Sequence, residues 1–434
     1  MAERENMTAV VAARWLCGIV ARMLAAVTGA PAADIAGPRA LAFGEATELL
    51  LRDNRDIRLA RNAVEAAVAT QVSARARPNP SLSAGATAID PAHPGAGSLW
   101  NKPLDAVVQL SQLIERGDKR TFRDQGAGLL VEAVRDDLAD TIRVQVRTLA
   151  VSYFDLMRAQ EKVRIAEDTL GLFARTVAAA RLRLKAGDIA QSDRSRINVD
   201  ALRAENDRRQ AEAERDRLRA DLALQLGLEA ASTSLVTVDA WPAADDIAFP
   251  ADLDGLISRR ADVQAATRRV EAADRFRSLA RSLRTRDVTI AAQVERYPGQ
   301  AHANTVGFGV SVPLFLNYNF DGEIRRSEVD RDAAQENLAR VRATAMTEIR
   351  QAWTDLAAAR DRVLRYDQSL LGEATHAAEA AEFAYRNGAL GVIDLLDARR
   401  ILVATEVDAI TAQADLGKAI AAGRAALASE EAGQ

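Results

Sequence analysis

Cysteine occurs once in the 434 residues, as Cys17, so no intrachain disulfide can staple this chain. Histidine occurs three times, as His93, His302 and His376, too far apart for a metal site of the usual ligand spacing, which argues against metal catalysis. Aromatic residues make up 4% of the chain while hydrophobic residues make up 48%, with alanine abundant. That is a composition of long, closely packed helices rather than of a large aromatic core. Neither sign of charge dominates, with 57 lysines and arginines against 61 aspartates and glutamates, so nothing points to nucleic acid. No apolar run reaches the length of about 18 residues that a membrane-spanning helix needs. Proline is missing from two long blocks, 104–241 and 314–434, and helices can run far in both.

What is present begins with 286–326, between the two proline-free blocks. Val288, Ile290, Ala292 and Val294 alternate with Thr289, Ala291, Gln293 and Glu295. After a Pro-Gly turn, Val306, Phe308, Val310, Val312 and Leu314 alternate with Gly307, Gly309, Ser311 and Pro313. Period two over segments of about ten residues predicts a β-hairpin with one apolar face, the pattern of transmembrane strands with lipid on one side and water on the other. Tyr297 beyond one end, and Phe315, Tyr318 and Phe320 at the other, read as aromatic girdles. Gly307 and Gly309 sit inside a strand and form no phosphate loop. Taken alone, the hairpin also suits a soluble protein in which it packs on a helix.

The chain repeats itself. NRDIRLARNAVEAA at 54–67 corresponds to RADVQAATRRVEAA at 260–273, with Val64 to Ala67 falling 206 positions before Val270 to Ala273. A second strand pair, PSLSAGATAI at 80–89 and DAVVQLSQLI at 105–114, stands in the first half where the 286–316 hairpin stands in the second. Long polar-apolar helices follow each hairpin, over about 125–185 and 188–226, then 321–387 and 395–427. The expected organisation is a signal peptide over 1–33 and a first repeat over 34–228, with its hairpin at about 80–114 and a helical turn near 187. A linker over 229–253 leads to a second repeat over 254–434, with a hairpin at about 286–316, a turn near 388 and a C-terminal tail. The leader reading rests on Arg14, the mostly apolar stretch 15–33 and the small residues GAPAA at its end; Arg22 interrupts it, and Cys17 leaves lipidation open.

Two hairpins give four strands, and a sheet exposed to lipid must close because unpaired edges cannot be satisfied there. Three chains would supply a closed barrel of twelve. The expected fold is therefore an α+β membrane protein: two structural repeats, four transmembrane β-strands per chain completing a trimeric twelve-strand barrel, continued by a long antiparallel α-helical coiled-coil barrel.

With both repeats in view, the chain from about Leu41 onward resembles the TolC family of outer-membrane efflux and secretion channels. RPNPSLS at 77–83, VPLFLNYNFDGEIRRSE at 312–328 and YRNGALGVIDLLDA at 385–398 carry the likeness, and QLSQLIERGDKR at 109–120 is similar to the cobalt-zinc-cadmium type of outer-membrane efflux subunit. The resemblance implies a homotrimer in the outer membrane of a Gram-negative bacterium, extending into the periplasm. It implies three partners: a periplasmic adaptor (membrane fusion) protein, an inner-membrane transporter of RND type, and outer-membrane lipid. It implies no cofactor, no catalytic residue and no nucleic acid.

Gly187 and Gly388 lie 201 apart, each where glycine would end one long helix and begin a turn, and these turns are the expected site of adaptor docking. Asp193 and Asp394 each follow six residues later, and Asp397 lies a helical turn beyond Asp394. The resemblance places Asp394 and Asp397 in rings at the periplasmic entrance, where converging carboxylates would favour cations. Capping of the returning helix is the other reading, for Asp193 above all. Tyr385 matches a family tyrosine that helps hold the entrance shut, but Leu390 stands where some members carry its arginine partner. The functional expectation is an exit duct for heavy-metal cations. Small organic toxins, type I protein secretion and a soluble coiled-coil scaffold are the alternatives.

Overall fold

The computed structural model describes residues 39–87, 105–244, 252–297 and 303–427. The leader segment with Cys17, and both His93 and His302, lie outside these residues. The first half runs β1 (Arg39–Leu41), α1 (Phe43–Asp53), α2 (Arg55–Arg75), β2 (Ser81–Thr87), β3 (Asp105–Ile114), α3 (Lys119–Ala186) and α4 (Gln191–Leu226). A 3₁₀ turn at Glu229–Ser234 and β4 (Leu235–Thr237) lead to the second half. There α5 (Leu253–Arg259), α6 (Ala261–Ser282), β5 (Val288–Tyr297) and β6 (Ala303–Ser311) precede α7 (Asp321–Arg365), α8 (Leu371–Arg386) and α9 (Val392–Ala426).

Both hairpins join one four-stranded antiparallel sheet in the order β2-β3-β5-β6. Its register aligns like with like. Leu82 pairs with Leu110, which pairs with Ala292, which pairs with Phe308; one step along, Ala84, Val108, Val294 and Val306 form the next row. Because side chains alternate, these rows share one face. The other face carries Ser81, Ser83, Gln109, Ser111, Gln293, Glu295 and Thr305. The apolar face is uncovered by the chain, with Phe308 86% and Leu82 72% exposed. Arg296 and Asn304 fall at its far end and Gln112 nearer the helices, where its amide is satisfied locally by donating to Pro78 O at 2.8 Å and Leu113 O at 2.9 Å. The outer edges of β2 and β6 have no partner strand among the described residues.

Several expected boundaries move. Tyr297 is the last residue of β5 rather than lying beyond it, and β6 ends at Ser311, so Val312 and Leu314 leave the sheet while still exposed. The helix expected over 321–387 is broken by a π turn at Tyr366–Leu370, an i→i+5 register change that no proline or glycine announces. The linker contains β4, which pairs in parallel with β1. Three-residue strands have no periodicity to read, so neither was expected. Tyr153 of α3 fastens this small sheet: its hydroxyl lies 2.9 Å from Leu41 O and 2.8 Å from Asp239 Oδ2, and burial with that carboxylate pushes its phenol pKa up.

The helices are too long to surround a single core. With 68 residues, α3 reaches roughly 100 Å at about 1.5 Å per residue. Apolar contacts are instead strung along it in separate clusters. One, around Leu50, Leu149, Tyr153 and Leu222, lies near β1 and β4, and another, around Phe173, Ile197, Val392 and Leu396, lies near the helical turns. Small residues allow the close approach. A Cβ added to Gly417 of α9 would sit 2.7 Å from the Phe154 ring of α3, so a side chain there requires that ring or the helix to shift.

Candidate functional site at the helical turns

Both turns between long helices are built by the same device. Gly187 takes φ 82° and Gly388 φ 75°, left-handed values that side chains resist. Gly187 N–H donates to Leu184 O (3.1 Å) and Asp188 N–H to Arg183 O (2.9 Å); Gly388 N–H donates to Tyr385 O (3.2 Å) and Ala389 N–H to Ala384 O (2.8 Å). Each is a Schellman ending, which satisfies the last carbonyls, and the next helix begins after four residues in the first turn and five in the second.

The returning helices α4 and α9 start from Ala190 and Gly391, neither of which has a capping side chain. Asp193 and Asp394 are therefore third residues of their helices, not caps. There they still complement the positive helix end. Asp193 is half-buried, whereas Asp394 and Asp397 are exposed on successive turns of α9. At the position of Asp397 the first half has Arg196, also exposed. The second turn thus presents two carboxylates, the first one carboxylate and one guanidinium.

Tyr385 packs against the Phe173, Ile197 and Leu396 cluster, and the Arg183 guanidinium lies 5.0 Å from its ring centroid. This cation–π contact ties the first helical pair to the second. Leu390, the departure from the family pattern, is half-buried and makes no such tie.

Four charged residues that the sequence alone did not single out complete the region. Arg400 of α9 crosses to Asp200 of α4, its Nη2 reaching both carboxylate oxygens at 2.9 and 2.7 Å, and Asp200 is buried. Arg399, 7% exposed, donates from Nη2 to Glu382 at 2.8 Å while its Nε and Nη1 have no acceptor among the described residues. Burial holds its pKa below the ordinary arginine value, with Arg175 and Arg386 adding like-charge repulsion against the attraction of Glu382. The only trace of this in the sequence is the Arg399-Arg400 pair itself, because Asp200 is two hundred positions away.

Among the described residues, no group of three or more histidines, cysteines, aspartates and glutamates is placed to hold a metal, and no helix is long and apolar enough to cross a membrane. The region is built of charged side chains, glycine turns and packed apolar residues. Together with an apolar-faced sheet and long helical hairpins, it defines a channel-forming protein of the outer-membrane efflux class.

The comparisons bear this out. The family described as outer membrane efflux protein matches residues 46–233 and 253–429, and the chain belongs to it. The cobalt-zinc-cadmium resistance protein CzcC of Cupriavidus metallidurans is 24% identical over 382 residues, covering 85% of each chain. Among solved structures, the outer-membrane channel OprN superposes with a TM-score of 0.75 at 22% identity, covering 89% of both chains. CusC superposes with a TM-score of 0.74 at 17% identity, covering 92% of this chain and 95% of that one. The fold is that of the TolC-type channels.

Proposed function

We propose that the protein is the outer-membrane exit duct of a tripartite efflux system and passes heavy-metal cations passively out of the cell. The observation that carries this is the sheet: four strands with one exposed apolar face, one polar face and two open edges. An isolated sheet of that kind is stable neither in water nor in lipid, but β2 of one copy paired with β6 of the next removes both defects. Three copies close twelve strands, apolar side outward and polar side around the lumen. The helical hairpins then extend the duct into the periplasm.

The metal reading is supported by the relative named for cobalt-zinc-cadmium resistance and by the exposed carboxylates of Asp394 and Asp397, which three-fold symmetry would bring toward the axis. Asp193 and Tyr385 would belong to the same entrance, with Tyr385 held by Arg183 helping to keep it shut. The Gly187 and Gly388 turns would receive a periplasmic adaptor linked to an inner-membrane transporter of the RND type, which would supply the energy. Within this reading the duct has no catalytic residue. Its test is to express the full-length chain in a Gram-negative host, isolate the outer membrane and determine the native mass after mild detergent extraction. Three chains in that fraction are expected; a soluble monomer or dimer would sink the proposal.

A further inference from the structure

Just below the apolar face of the sheet, where the chain leaves β3 for α3 and enters β5 from α6, two arginines lie beyond the last paired residues. Ile114 pairs with Val288 at the end of β3 and β5, and two residues further on lie Arg116 and Arg286. Continued two residues past that pair, the strand alternation brings both to the side of the apolar face, level with Leu314 beyond the end of β6. Both guanidinium-bearing residues are exposed. Two acids at this level are engaged elsewhere: Glu115 holds Arg123 at 2.7 Å and Asp287 holds Lys119 at 2.7 Å, while Arg116 donates its backbone N–H to Asp287 at 2.9 Å. Arg286 lies 5.6 Å from the ring centroid of Phe315. Phe315 packs edge-on against Phe320, and beside them Leu316 is 81% exposed.

The spacing along the same face gives this level a depth. Arg296 occupies the other end of the apolar band on β5, paired with Ala106 and Asn304. Ten residue steps from Arg286 to Arg296 span about 33 Å along a strand at roughly 3.3 Å per residue. At a barrel tilt of about 40° that is roughly 25 Å across the membrane, the height of a barrel's apolar belt. Arg116 and Arg286 therefore stand at headgroup level on the side from which the helices depart.

Resting on the outer-membrane reading above, we infer that Arg116 and Arg286, with the Phe315, Leu316 and Tyr318 rim, form a binding surface for the phosphates of anionic glycerophospholipids in the inner leaflet. The two exposed guanidinium groups, neither with a carboxylate partner among the described residues, meet the phosphate, and the exposed apolar rim meets the upper acyl chains. Three-fold symmetry would repeat the surface around the barrel.

The test takes the full-length protein in mild detergent, adds phosphatidylglycerol and phosphatidylcholine in equal amounts, and counts the lipids retained by native mass spectrometry. The wild type is expected to retain phosphatidylglycerol preferentially, and the preference should fall by about fivefold for each arginine removed in R116Q and R286Q. R116K/R286K should keep most of it. Raising the ammonium acetate concentration should erode the wild-type preference, a readout that needs no variant to assemble. Equal retention of the two lipids by the wild type, or an unchanged preference in R116Q/R286Q, would overturn the inference. A chain that enters neither detergent micelles nor membranes would instead overturn the duct reading beneath it.

Discussion

The two halves of the chain begin alike and are held differently. Asn54 and Arg260 occupy equivalent places, each at the start of the helix that enters a hairpin. Asn54 caps α2, its Oδ1 accepting from Asp56 N–H (3.0 Å) and Ile57 N–H (3.1 Å), while Nδ2 donates to Gln225 O at 3.0 Å. Arg260 cannot accept a hydrogen bond and does not cap. It is fully buried and donates to Asp262 (2.7 Å) and Glu348 (2.8 Å), binding α6 to α7. The contrast returns at the far end, where Arg196 answers Asp397. Duplication kept the backbone plan because hairpin and helix geometry are shared, while the polar groups at matching positions came to serve the neighbours that each half has.

That contrast can be broken first at its strongest point. Arg260→Ala strips a buried cation from two carboxylates and is expected to cost about 3–5 kcal/mol, against about 1 kcal/mol for Asn54→Ala at the cap. Denaturant unfolding followed by circular dichroism ranks the two; equal losses would mean that Arg260 acts only through local packing.

Where the halves meet in the sheet, they should behave alike. Leu110 of the first half and Phe308 of the second lie in one row of the apolar face. Replacing either with arginine is expected to cost about 2–4 kcal/mol in a bilayer, whereas Gln109→Arg, on the polar face, should cost little. Folding yields in lipid vesicles measure this, and a harmless Phe308→Arg would return the sheet to a soluble role. The smallest free-energy effect lies at the turns. Asp394→Asn with Asp397→Asn should lower cation selectivity in planar-bilayer recordings, while Arg196→Asp, adding a carboxylate to the first half, should raise it or leave it level. Selectivity unmoved by the double change would remove the carboxylate rings from the proposal.

Much of this was legible in the residues because it is local. Period-two alternation in Val288–Val294 and Val306–Val310 marks strands whatever surrounds them, since a strand turns every second side chain to the same face. Gly187 and Gly388 mark helix ends because few other residues tolerate the left-handed conformation of a Schellman turn. The π turn at Tyr366–Leu370, the β1–β4 pairing and the Asp200–Arg400 bridge were not legible. Each depends on a partner remote in sequence, or on a hydrogen-bond shift that no residue type encodes.

Side-chain periodicity and backbone preference within a few residues suffice for the long helices, the hairpin strands, the repeat and the apolar stripe on each strand. The packed fold alone sets β3 beside β5, so that both hairpins form one sheet with a single continuous apolar face. It also leaves Arg399 buried with Nε and Nη1 lacking an acceptor among the described residues while Arg400, its neighbour, reaches Asp200. Consecutive residues on a helix point about 100° apart, so identical side chains meet different neighbours, and only the packed fold says which.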